Sequence, residues 1–85
     1  MNKNLILKHP WNYSAKEIEE IMFMPLRFHV GEINSDKVKQ LVEGQIVKVI
    51  LASNSPFLPA EVIIKLADDT EVQYCVLELK GVSHI

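Results

Sequence analysis

Cys75 is the only cysteine in the sequence, so no disulfide can close within the chain. Glycine is equally scarce: Gly31, Gly44 and Gly81 each stand alone, which excludes a glycine-rich phosphate loop. No stripe of one charge is present either. Nine Lys and Arg are scattered among eleven Asp and Glu for a net charge of −2, which removes the basic footprint that a phosphate backbone requires, and no nucleic-acid partner is expected. The longest apolar run, Ile21 to Leu26 with Pro25 counted in, falls far short of the roughly 20 residues that span a bilayer, so no direct membrane insertion is expected. Lys8, His9 and Pro10 interrupt the N-terminus too early for a secretory signal. The cytoplasm is the expected compartment, and a lone thiol agrees with it.

What is present is a folding composition. Of 85 residues 48% are apolar and 24% charged, the balance of an ordered chain. A chain of this length is one domain, and it buries only about 60% of the surface that its unfolded form exposes. With no disulfide to assist, a partner chain is the expected source of further burial.

Residues 1–13 read as an extended arm carrying Leu5, Ile6 and Leu7. Ser14 and Glu17 form a capping box that opens a short helix over 14–24, with Ile18, Ile21 and Met22 on one face and Pro25 closing it. Residues 25–85 then read as one β domain. Leu26, Phe28 and Val30 alternate with Arg27, His29 and Gly31, the mark of a half-buried strand. Asn34 to Asp36 predict a short helical turn through Val38 and Leu41 that ends at Gly44. Gln45–Leu51 reads as a second strand, with Ile46 and Ile50 on one face and Val47, Val49 and Leu51 on the other. Glu61–Ala67 and Glu71–Leu79 read as a hairpin around Asp68, Asp69 and Thr70, and Gly81 breaks the last strand. The expected fold is mainly β, with short helices.

Catalytic chemistry finds little footing. His9, His29 and His84 lack metal-ligand spacing, and Cys75 has no neighbouring base to activate it. Asp68, Asp69 and Glu71 are the acids that a hairpin tip ordinarily carries. Neither a cofactor, a metal nor an enzymatic activity is expected. Trp11, Tyr13 and Phe57 stand outside the regular strands and are candidate anchors for a partner.

The strands are apolar on both faces: Val62, Ile64 and Leu66 share one side of their strand, and Ile63 lies on the other. One short helix covers one face of a sheet, so the second face is expected to meet another chain. The expected interface comprises Phe28, Val30, Ile46, Val47, Val49 and Leu51, with Ile63, Ile64, Leu66, Tyr74, Val76 and Leu77 from the hairpin.

From Ile18 to Ile85 the order of features resembles the SpoA domain of flagellar motor switch proteins and their type III secretion counterparts. The resemblance is carried by the lead Ile21-Met22-Phe23-Met24-Pro25-Leu26-Arg27-Phe28-His29-Val30-Gly31, by the step Leu41-Val42-Glu43-Gly44 into Gln45-Ile46-Val47-Lys48-Val49, and by the ending Gly81-Val82-Ser83-His84-Ile85. Asp68-Asp69-Thr70 departs from the family's glycine turn, and Thr70-Glu71 from its Gly-Glu. The resemblance implies an intertwined, strand-exchanged dimer, as a homodimer or with another SpoA domain. It further implies a non-catalytic subunit of the cytoplasmic sorting platform of a type III secretion system, peripheral to an inner-membrane apparatus. Its partners would be a larger ring subunit and a linker protein of the export ATPase. A flagellar motor switch subunit is the alternative within the family; a small ligand-binding regulatory β-domain is the alternative outside it.

Overall fold

The computed structural model describes residues 15–85, apart from the side chains of residue 15 and residues 55–57. Helix α1 (Ala15–Ile21) leads into strands β1 (Leu26–Val30), β2 (Gln40–Ala52), β3 (Ser55–Leu66) and β4 (Glu71–Cys75). A 3-10 turn over Val76–Glu78 then leads to β5 (Leu79–His84). The strands form one antiparallel sheet in the order β4-β3-β2-β1-β5, so the mainly β class expected from the sequence is what the chain adopts. No helix among the described residues is long and apolar enough to cross a membrane.

This strand order forces the sheet to curl. Laid flat, five strands would hold β4 and β5 four spacings apart, about 19 Å at about 4.8 Å each. The link from Cys75 to Leu79 covers at most about 14 Å fully extended, and only about 8 Å as a 3-10 helix. The two outer strands are therefore drawn towards one another, and the sheet encloses its own concave face. Leu26 and Phe28 are fully buried there, with Ile46, Val62, Ile64, Leu79 and Val82 around them and Ile18 of α1 packed in from the helix. The strict buried/half-buried alternation of β1 agrees with the period read from its sequence. One face of the sheet is thus covered by the chain itself, by the curl of the sheet as well as by the short helix.

Three expectations at element level are corrected. The helical turn placed at Asn34–Leu41 does not form. Ser35 Oγ accepts the Lys37 N–H at 3.0 Å, and the Lys39 N–H donates to the Val30 carbonyl at 2.7 Å. These bonds settle residues 31–39 as a loop and start β2 at Gln40. Gly44 consequently lies inside a strand rather than at a helix end, and it is there because of contact: a Cβ at this position would stand 2.5 Å from the Lys65 carbonyl oxygen. Finally, Glu71–Leu79 is not one strand. The Cys75 N–H donates to Glu78 Oε1 at 2.9 Å, which winds residues 76–78 into the 3-10 turn, and Gly81 sits within β5 instead of breaking it.

The faces of β2 also differ from strict alternation. Ile46 is paired with Ile64 and Val49 with Val62, while Lys48 stands opposite Ile63, so the register slips by one residue at Val47. Such a bulge bends and twists its strand. It returns Val49 to the core side beside Ile46; further register shifts on either side of Leu51 end the alternation, and Leu51 is 43% exposed rather than buried.

Candidate functional site

The residues expected to form an interface fall into two sets. Phe28, Val30, Ile46, Ile64 and Val76 are buried in the chain's own core, and Val49, Leu66 and Tyr74 pack against it. Within the single chain the curl of the sheet covers them, so they would meet a partner only if the sheet opens. Val47, Ile63 and Leu77 are half-buried, and Leu51 is exposed. Trp11 and Tyr13, like the side chain of Phe57, lie outside the described residues.

The outer face of β1 carries most of the polar order. Arg27 is in register with Glu43 of β2 and donates to its Oε2 from Nε at 2.9 Å and Nη2 at 2.8 Å. His29 Nε2 lies 3.0 Å from Ser83 Oγ of β5. A histidine beside a serine is the start of a nucleophilic site, which also needs a third group to orient the ring and donors for an oxyanion. Nothing on the neighbouring β2 supplies these: opposite His29 stands Leu41. The pair reads as a cross-strand contact. Cys75 is half-buried beside the 3-10 turn. Among the described residues no three His, Cys, Asp or Glu side chains are grouped as a metal site.

The surface feature with no place in the sequence reading is the first part of β2. Pairing of β2 with β3 starts at Gly44–Leu66, whereas pairing with β1 extends out to Gln40. Beyond Leu66 the chain turns away through residues 67–70, where the Asp69 N–H donates to the Leu66 carbonyl at 3.0 Å. Among the described residues, 40–43 therefore have a neighbouring strand on one side only.

The hydrogen-bond phase shows which groups face the empty side. The Leu66 N–H donates to the Thr70 carbonyl at 2.8 Å, so the main chain of Leu66 points towards β4. Alternation then turns Lys65 towards β2, and its partner Gln45 towards β3. Two and four residues earlier, the main-chain groups of Glu43 and Leu41 point the same way. At Leu41 that direction holds a shallow, open groove of about 420 Å³ lined by Gln40–Glu43 and by Leu66, Ala67 and Asp68.

Large apolar side chains gather at this end of β2 and on the preceding loop: Ile33 is 49% exposed, Val38 45% and Leu41 54%. Across the groove, the Asp68 carboxylate accepts the Thr70 N–H at 3.0 Å. That bond, with the Thr70 hydroxyl, holds the Asp68 carboxyl below its ordinary value. Sequence reasoning missed this edge because Ser35 and Asp36 look like a helix start, and nothing in the pattern of residues 40–43 shows that β3 is too short to cover them. No family model, curated protein or solved structure matches the chain.

Proposed function

We propose that this chain is a non-catalytic protein–protein interaction module that works by associating with a second copy of its own fold. The observation that supports the reading is the main chain at the start of β2, which has no partner on one side among the described residues and carries the exposed side chain of Leu41, with those of Ile33 and Val38 on the loop before it. An unpaired strand flanked by apolar surface is a template for another polypeptide, and proteins that do not use such edges blunt them.

The type III secretion platform role, with a ring subunit and an export-ATPase linker as further partners, is the specific form of this proposal. It rests on the sequence resemblance, as does the flagellar alternative. The self-contained core shapes that form: two closed domains can meet at their surfaces without exchanging strands. The ligand-binding alternative would place a small molecule in an open groove, such as the one above or a smaller one of about 180 Å³ beside Pro25 and Ile85.

Light scattering on the purified chain over a dilution series tests the proposal. A concentration-dependent dimer is the expected result. A folded monomer at every concentration up to about millimolar, where even weak association becomes visible, overturns it.

A further inference from the structure

The self-association proposed above requires a surface, and the strand phase singles one out. We infer that two copies join by antiparallel pairing of the β2 edges, about a two-fold axis through Leu41. This inference rests on the self-association reading and specifies its geometry.

The argument begins with hydrogen bonds. Leu41 turns its N–H and C=O to the open side, which is the arrangement of a residue able to exchange both bonds with one directly opposite it. A two-fold axis at Leu41 sets Leu41 against the second copy's Leu41, and both exposed groups are satisfied at once. Isologous contacts of this kind close on themselves and limit assembly to a dimer.

Side chains agree with that register. Just beyond the paired segment, the loop residue Lys39 of one copy, its N–H kept on the β1 side by the Val30 carbonyl, lies beside Glu43 of the other, so a pair of opposite charge forms at each end of the new ladder. Both Arg27 bonds to Glu43 end on Oε2, which leaves Oε1 to accept from a second cation. Lys39 is held only by an exposed pair with Glu32 at 3.2 Å, which is easily exchanged. The Leu41 side chains, 54% exposed in one copy, would meet between the charged pairs. At the centre of the ladder apolar meets apolar, and at its ends positive meets negative.

The two outer strands of the sheet offer no such match. A two-fold at Gln73, the centre of β4, sets Glu71 against Cys75, and one at Val82, whose main chain faces the open side of β5, sets Lys80 against His84. Neither register brings opposite charges together. The start of β2 is self-complementary where β4 and β5 are not.

The test uses the full chain and two variants, Leu41→Lys and Lys39→Glu, with dimer dissociation followed by light scattering and amide exchange followed at several concentrations. Leu41→Lys places two cations on the axis, and Lys39→Glu sets acid against acid at both ends of the ladder. Each should weaken the dimer by about tenfold or more, and the Leu41 amide should become protected as concentration rises. Lys39 is an exposed loop residue, so its variant keeps the fold and remains informative if Leu41→Lys does not fold. A dimer that both variants leave unchanged overturns this inference while the self-association reading stands. Protection of the Leu41 amide that is equal at all concentrations also overturns it, because the edge is then filled within one chain. A monomer throughout overturns the inference together with the reading beneath it.

Discussion

Ile46 and Val49 face the same core from one strand although the two residues between them would set them on opposite faces of a regular strand, because Val47 and Lys48 together stand opposite Ile63. The bulge sorts two valines that a regular strand would place on one face. Val49 packs against the buried cluster, and Val47 is half-buried at the bend. Val49→Asp therefore sets a carboxylate against the core with no cation to meet it, and should cost about 3 kcal/mol or more. Val47→Asp should cost nearer about 1 kcal/mol, since water reaches the bulge. Urea titration of both variants checks the order. Equal losses would mean that both valines face the interior.

Gly44 marks the closest approach of β2 to β3. A Cβ there would lie 2.5 Å from the Lys65 carbonyl oxygen and 2.9 Å from Ile64 Cγ2, so the strands must part or Ile64 must leave its place. Gly44→Ala should destabilise by about 1–3 kcal/mol, as overpacking does. In a domain of this size each kcal/mol lowers the melting temperature by about 4–8 °C. A melting temperature within 2 °C of the parent, about the error of such a comparison, would show that the strand pair yields freely. Gly44 is also the last residue of β2 covered by β3, so a change here should disturb the junction with the open edge.

The sequence carried local periods well and long-range geometry poorly. Leu26, Phe28 and Val30 repeat with a period of two, and β1 buries those three side chains. The hairpin around Asp68 was legible because turn residues bracket two apolar runs. The bulge at Val47 was not legible, because an inserted residue changes which face follows without changing composition. Nor was the curl of the sheet, since it depends on β4 and β5 lying at opposite ends of the strand order while three residues join them in the chain. That single relationship converts strands that look apolar on both sides into a closed core. Among the described residues the start of β2, beyond the end of β3, is a further stretch of strand unpaired on one side.

Phe23 stands two residues after the end of α1 with φ at 67°, in the left-handed region, and it is 62% exposed. Its N–H donates to the Ile46 carbonyl at 2.9 Å, which fixes the backbone there. Glycine is the residue that ordinarily ends a helix in this conformation, and a bulky side chain costs about 1–2 kcal/mol by comparison. Phe23→Gly should raise stability by about 0.5–1 kcal/mol, after the greater entropy of glycine in the unfolded chain is subtracted. Asp69 has a similar φ of 70°, but aspartate tolerates this region, so Asp69→Gly should gain less. Thermal melts of the two variants side by side decide the matter. A loss of stability in Phe23→Gly would show that the ring makes contacts worth more than the strain.

Asp68 is fully exposed, yet its carboxyl is held below the ordinary value of 3.8, first by the Thr70 N–H and then by the Thr70 hydroxyl. A folded-state value below the unfolded one means that the unfolded chain binds the proton more readily. The contribution of Asp68 is therefore complete above about pH 5 and is lost as pH falls through the folded value, below about pH 4. Asp68→Ala removes both the charge and the bond that closes the β3–β4 turn. The variant should be less stable than the parent at neutral pH, and the difference should shrink on acidification until the two melting curves approach each other below about pH 3. A difference that stays constant across that range would assign the effect of Asp68 to turn geometry alone. Convergence would show that it is the charged form of Asp68 that holds the β3–β4 turn.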